Sequence, residues 1–244
     1  NIVQSDFPLV SQPFEDIGLK LGITENEAML RVNDLKNRNI IRQISAIFDT
    51  RRLGYSTSLV AMRFNSEHLE SGAQIINRHP GVSHNYGREG HFNLWFTIAV
   101  PPGESINETV SKMGAQTHAI SWRLLPTKRF FKIGVNFDME SGRTNASHYF
   151  VPDSPHGKKI DQDWNKAQSL TSTDIEFVRQ MQKDLKTICR PFDPISTHLN
   201  MTNNELFKYA VQMMERKLMR RFSAVLHHRR AGFSANAMVV WKVP

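Results

Sequence analysis

Arg42-Gln43-Ile44-Ser45-Ala46-Ile47-Phe48-Asp49-Thr50-Arg51-Arg52-Leu53-Gly54-Tyr55 occurs a second time, with substitutions, as Arg220-Arg221-Phe222-Ser223-Ala224-Val225-Leu226-His227-His228-Arg229-Arg230-Ala231-Gly232-Phe233. The two stretches stand 178 positions apart. The same shift, without a gap, carries Pro13-Phe14 onto Pro191-Phe192, Leu21 onto Leu199, Thr24 onto Thr202 and Glu27 onto Glu205. Apolar positions follow: Ile23/Met201, Leu35/Met213, Ile40/Leu218, Ile41/Met219 and Ile47/Val225. A cluster of matches in one fixed register marks an internal duplication. The first copy runs to about Asp138; the second begins near Leu170 and stops at Pro244, part way through the unit. Between them, Glu140 to Gln168 is rich in Ser, Gly, Asn, Pro, His and Lys and has little apolar periodicity, which reads as a linker.

Each copy opens with helical signals. Asp16 to Leu21 is a short amphipathic stretch ending at Gly22. Thr24 stands three residues before Glu27, the capping-box spacing, and Ala28, Val32 and Leu35 then line one helical face. Two short helices joined near a glycine read as a helix-turn-helix. Ile40 to Phe48 alternates and is β-rich, like the wing of a winged helix. Thr57 to Phe64 is then a strand pattern and Glu67 to Asn77 a helical one. His79-Pro80-Gly81 is a turn, and Val82 to Tyr86 and Phe92 to Val100 are strands around a Gly-rich connection. After the break at Pro101-Pro102-Gly103, Ile106 to Met113 is helical, and Ile120 to Leu125 and Phe130 to Val135 are strands. That order is β-α-β-β-α-β, the ferredoxin-like plan.

The fold class is therefore α+β: a duplicated unit of winged helix-turn-helix plus ferredoxin-like domain, its second copy incomplete. The expected boundaries are a helix-turn-helix domain over 1–52, a ferredoxin-like domain over 53–139 and a linker over 140–168. A second helix-turn-helix then covers 169–230, and a second ferredoxin-like domain starts at 231–244.

Among its 244 residues the chain is 40% hydrophobic and 22% charged, enough for one large or two small cores. Its net charge of +8 suits polyanions: nucleic acid, anionic lipid or a polycarboxylate ligand. One cysteine, Cys189, excludes an internal disulfide framework and suits a reducing cytoplasm. No apolar run approaches the roughly 18 residues that a membrane helix needs.

A helix-turn-helix raises the question of DNA. The second helix of copy one starts Thr24-Glu25-Asn26-Glu27, where Glu25 and Glu27 would meet phosphate with like charge. Copy two offers Thr202-Asn203-Asn204-Glu205, hardly more basic. DNA is thus disfavoured as a partner. The positive charge gathers elsewhere, at Arg51-Arg52 and Arg229-Arg230, each pair followed two residues later by Gly, with Arg220-Arg221 upstream and His227-His228 beside. A lone arginine pair is usually a solvated loop, but its repetition in both copies points to carboxylate binding, which guanidinium groups do bidentately. A second cluster, His79 to Phe96, holds His79, His84, His91, Tyr86, Arg88 and Trp95 around a β-hairpin. Strand alternation places Val82, His84 and Tyr86 on one face and Ser83 and Asn85 on the other. His79 before Pro80 fits a turn-shaping role, Trp95 a core role and His91 a solvated one; His84 and Arg88 are the better ligand contacts.

Arg42 to Tyr55 together with His79 to Phe96 resembles the first-subunit type of siroheme decarboxylase, and Arg220 to Trp241 resembles the partner type. Both on one chain resemble a fused form of that enzyme, itself related to the leucine- and asparagine-responsive regulators. The resemblance implies conversion of siroheme to 12,18-didecarboxysiroheme, for heme d1 or for an alternative heme route. It also implies a further α/β half after residue 244. Loss of carbon dioxide from a pyrrole acetate leaves charge that the macrocycle spreads, and a positioned acid then protonates carbon, a task for His near neutral pH. The resemblance makes His84 and His228 the first candidates for that acid, with His79 and His91 behind them. Arg51, Arg52, Arg88, Arg229, Arg230, Tyr86 and His227 become candidate substrate-binding groups. No cofactor and no metal beyond the substrate's own iron is implied. Thr50 stands where copy two has His228, so the two pockets would be unequal. The implied partners are siroheme and its didecarboxy product, self-association through the ferredoxin-like sheets and partner decarboxylase subunits, in the cytoplasm. A ligand-sensing DNA regulator and a non-catalytic tetrapyrrole carrier are the rival functions.

Overall fold

The structure, a computed structural model, describes residues 2–5, 7–127, 136–137, 144–145, 166–227 and 230–232. In chain order the elements are α1 (Ile2–Ser5), α2 (Pro13–Leu21), α3 (Glu25–Asn37), β1 (Ile41–Phe48), β2 (Ser56–Arg63), α4 (Ser66–Asn77), β3 (Val82–Gly87) and β4 (Leu94–Val100). There follow α5 (Ile106–Gln116), β5 (Ser121–Leu125), β6 (Asn136–Phe137), β7 (Thr144–Asn145), α6 (Ser172–Met181), α7 (Asp193–His198), α8 (Asn203–Glu215) and β8 (Met219–Leu226). Two compact units result. One comprises Asn1–Asp49, Ile133–Val151 and Leu170–Pro244; the other comprises Thr50–Lys132 and Pro152–Ser169. The expected strand over Phe130 to Val135 lies outside the described residues, as do most of the expected linker and the chain after Gly232.

The first unit is built on the duplication. Displaced by 178 positions, the bounds of α3 and β1 fall on those of α8 and β8. Pro13 opens α2, where its missing N–H is no loss, and Gly22 ends it at φ 67, a left-handed conformation that costs glycine little. Thr24 Oγ1 then accepts from the Glu27 N–H at 3.2 Å to start α3. Thr202 does the same for α8 and completes a reciprocal capping box with Glu205. On α3, Glu27 instead pairs with Arg31 at 2.7 Å, and Arg38, its C-cap residue, pairs with Asp34 at 3.1 Å, so two basic side chains are tied to acids of this helix.

The strand that resembles a wing pairs with its own repeat. β1 and β8 run antiparallel with Ser45 opposite Ser223, Ile44 opposite Ala224 and Ala46 opposite Phe222. Under the 178-residue shift the Ile44 and Ala46 pairs exchange and the Ser45 pair maps onto itself, so a pseudo-twofold axis passes between Ser45 and Ser223. The ladder skips one residue on each strand, at Arg42 and at Arg220. Phe7 packs on Phe14 at 5.9 Å and on Phe222 at 5.6 Å, and Phe192, the repeat of Phe14, packs on Phe222 at 5.5 Å. Burying each such ring contributes about 1.5–3 kcal/mol. Asp174 is fully buried, where its carboxylate accepts from Arg216 at 2.7 and 3.1 Å, from the Tyr209 hydroxyl at 2.7 Å and from the Thr171 N–H at 2.9 Å.

The second unit is ferredoxin-like. Its sheet has the order β3-β4-β2-β5 with all neighbours antiparallel. Val60, Met62, Phe96, Ile98 and Val100 face a core closed by Ile76 of α4 and by Val110 and Met113 of α5. Among the described residues, α4 and α5 lie on this core side, and period-2 alternation turns every second side chain to the other face of the sheet.

Candidate functional site

The alternation of β4 puts Leu94, Phe96, Ile98 and Val100 in the core and turns Trp95, Thr97 and Ala99 to the open face. Strand register extends this into two rows. Tyr86, Trp95, Ala61 and Arg123 stand side by side across the four strands, and His84, Thr97, Leu59 and Leu125 form the next row. Trp95 and Leu59, both half-buried, are the apolar side chains that make the floor of this face, and Ala61 between them is only 1% exposed. His84 and Tyr86 stand at one edge and Arg123 at the other, with three strand spacings of about 4.8 Å setting the edges roughly 14 Å apart.

The regular alternation expected for Val82 to Tyr86 is broken. The β3–β4 register slips between Val82 and His84. Val82 consequently packs against the core, and Ser83 joins His84 beside Thr97: Ser83 Oγ lies 2.9 Å from Thr97 Oγ1 and 3.1 Å from His84 Nδ1. A β-bulge adds one residue to one strand and so reverses the faces on its N-terminal side. Asn85 keeps the expected side, donating to Ala73 O at 3.2 Å and to Asn77 Oδ1 at 3.0 Å on α4.

Of the residues singled out in the sequence, the fold gathers His84, Tyr86 and Arg88. The His84 and Tyr86 rings are 6.2 Å apart, and the Arg88 guanidinium lies 4.8 Å from the centre of the Tyr86 ring, a cation–π distance. Arg88 also donates to Gly87 O at 2.9 Å, which directs the guanidinium back along the strand end. His79 sits in the turn before β3, its Nδ1 accepting the Gly81 N–H at 3.1 Å. His91 is exposed in the β3–β4 connection, edge-on to Phe92 at 4.9 Å. Arg51 and Arg52 occupy the turn that enters β2; Arg51 is 9% exposed, and its carbonyl accepts the Gly54 N–H at 2.8 Å.

His227 and Arg230 belong to the duplicated helix-turn-helix unit. His227 is exposed, and its N–H bonds Ile40 O at 2.9 Å; the Arg230 guanidinium reaches Arg38 O at 3.4 Å. His228 and Arg229 lie outside the described residues. Arg220, part of the basic run read from the sequence, is engaged by Asp49 at 2.8 Å. Sequence reading left out Arg123, Thr97, Leu59 and Ala61. Trp95, given a core role from the sequence, instead faces the open side, because it alternates with the apolar core positions of β4; Thr97 was findable from the same alternation, whereas Arg123 carries no such signal, because its place depends on which strand β5 joins.

Residues 52–132 match the family of AsnC-like ligand binding domains, and residues 1–42 match the siroheme decarboxylase NirDL-like HTH domain family. The chain is 38% identical over 244 residues to a siroheme decarboxylase of Hydrogenobacter thermophilus, covering all of this chain and 70% of that protein. It superposes on the crystal structure of the siroheme decarboxylase NirDL with a TM-score of 0.68 at 31% identity, over 92% of this chain and 63% of that one. The crystal structure of the same enzyme in co-complex with an iron-uroporphyrin III analogue gives 0.67 at 30% identity, again over 92% and 63%. This chain thus spans about two thirds of the length of these relatives. With the duplicated helix-turn-helix, the ferredoxin-like sheet and a relative aligned from end to end of this sequence, the chain belongs to the siroheme decarboxylase family.

Proposed function

We propose that this chain decarboxylates siroheme, removing two acetate carboxylates as carbon dioxide to give 12,18-didecarboxysiroheme. The observation that carries the reading is the open sheet face, with an apolar floor of Trp95 and Leu59 and with His84, Tyr86, Arg88 and Arg123 around it. A flat conjugated ring needs an apolar surface, and its carboxylates need guanidinium groups at the rim. The siroheme iron is part of the substrate.

In each step the bond between the acetate methylene and its carboxyl carbon breaks. The electron pair stays on the methylene carbon, delocalised into the macrocycle, and carbon dioxide leaves. A proton from His84 then completes a methyl group, and solvent restores the proton to the imidazole. Tyr86 orients a neighbouring carboxylate by hydrogen bond, and Arg88 and Arg51 hold others. His228, Arg229 and Arg230 serve the same ends from the second copy. The fully assembled enzyme pairs ferredoxin-like sheets, or recruits homologous subunits, to cover the open face. The cytoplasm is the proposed compartment. Among the described residues no helix is long and apolar enough to cross a membrane.

Anaerobic incubation of the protein with siroheme, followed by mass spectrometry of the extracted pigment, tests this reading. Loss of two carbon dioxide units is expected from the wild type, and less from His84→Ala and His228→Ala taken separately. Siroheme recovered at unchanged mass would overturn it, and tight binding without mass loss would make the protein a carrier.

A further inference from the structure

We propose that Ser83 and Thr97 are positioning residues that anchor His84 through Nδ1, so that Nε2 is the nitrogen that gives up the proton. This rests on the assignment of His84 made above, and goes beyond it to the device that aims the ring.

Three atoms carry the inference. Ser83 Oγ lies 3.1 Å from His84 Nδ1 and 2.9 Å from Thr97 Oγ1, and Thr97 Oγ1 lies 3.5 Å from the same Nδ1. Ser83 reaches this side of the sheet only through the slip in register between Val82 and His84; unbroken alternation would turn its hydroxyl toward α4. Bulges of this kind re-aim side chains beside active sites. Just before the slip, Gly81 lets the chain lie close against β4, because a Cβ there would collide with the Ala99 carbonyl.

A hydroxyl both donates and accepts, so the pair follows the imidazole through its protonation states. When His84 is protonated, Nδ1–H donates to Ser83 and the Ser83 hydroxyl donates to Thr97. When His84 has given its Nε2 proton to carbon, the same bonds persist and the ring need not turn. If the neutral ring carries its proton on Nε2 instead, the hydroxyls rotate and Ser83 donates to Nδ1. In each state Nδ1 is occupied by Ser83. Among the described residues, these titratable and charged groups stand toward this cluster. From β3 come Tyr86, 6.2 Å from the His84 ring, and Arg88 stacked on Tyr86; β4 contributes the uncharged Thr97 and Trp95; Arg123 stands two strands further, on β5.

The test uses the wild-type chain, Ser83→Ala, Thr97→Val and Thr97→Ser, with the His84 ring followed by nitrogen NMR across a pH titration in the absence of siroheme. A hydrogen bond from Nδ1–H to Ser83 favours the charged ring. The titration midpoint of His84 is therefore expected to fall in Ser83→Ala and in Thr97→Val, and to return to the wild-type position in Thr97→Ser. Turnover of siroheme should follow: kcat about tenfold lower in Ser83→Ala with KM within about twofold, and a pH–rate profile displaced in the same direction as the midpoint. A midpoint unmoved in folded Ser83→Ala and Thr97→Val overturns the proposal, as does a Thr97→Ser variant that behaves like Thr97→Val. If the wild type does not turn over siroheme, the functional reading fails, and the titration still judges the anchoring by itself.

Discussion

Arg220 reaches Asp49 across the pseudo-twofold axis, Nη2 to Oδ2 at 2.8 Å, but the residues that repeat Asp49 and Arg220 are His227 and Arg42, which cannot form the same ion pair of carboxylate and guanidinium. The backbone obeys the symmetry that the side chains break: Asp49 N–H bonds Leu218 O at 2.8 Å, and His227 N–H bonds Ile40 O at 2.9 Å. Asp49 is 9% exposed, so its carboxylate compensates a guanidinium in a setting of reduced screening. Asp49→Asn should destabilise the chain by about 1–3 kcal/mol in urea unfolding. His227→Asp, which gives Arg42 the matching carboxylate at an exposed position, should add only about 0.2–1 kcal/mol. A larger effect from His227→Asp than from Asp49→Asn would contradict the difference in burial.

Asp174 ties the start of α6 to Tyr209 and Arg216. Burial alone would raise its pKa, but the hydrogen bonds from Arg216, Thr171 and Tyr209 outweigh burial and hold it at about 2, against an ordinary 3.8. Because the folded value is depressed, the stabilisation is present above the ordinary value and is lost as pH falls toward and through about 2. The linked contribution is about 2 kcal/mol, so unfolding followed from pH 6 to pH 2 should steepen in that window.

Asp174→Asn should remove that acid limb and cost about 3 kcal/mol at neutral pH, since Arg216 and Tyr209 lose a charged partner. Equal acid sensitivity in wild type and variant would place the titrating group elsewhere.

Gly81→Ala meets backbone: its Cβ would collide with the Ala99 carbonyl, which belongs to β4. The hairpin must shift to admit it, at a cost of about 1–3 kcal/mol. Exchange of the Ala99 amide proton, bonded to Gly81 O at 2.9 Å, should quicken in the variant, while that of the Ile44 amide, in the other unit, should not.

Arg123 lies at the far edge of the floor from His84 and is exposed. Under the proposed function, Arg123→Gln should raise the KM for siroheme about tenfold, with kcat little changed, the mark of lost ground-state binding to a carboxylate. Arg123→Lys should recover only part of this, because a lysine lacks the bidentate fork.

What was legible in the sequence was local or repeated. The duplication could be read because the 178-residue register needs no structure, and the caps at Thr24 and Thr202 because a side chain three residues from its partner amide is a local event. The order of helices and strands in the described part of the ferredoxin-like unit followed from periodicity and from the Pro and Gly residues that break it. Tertiary structure decided the rest. Pairing of β1 with β8, the neutralisation of Arg220 by Asp49, the bulge that brings Ser83 to His84 and the place of Arg123 on the floor all depend on hydrogen bonds between backbone segments far apart in the chain. Strand register and bulges are set by which partner a strand finds, and a one-residue slip exchanges the faces of every side chain beyond it.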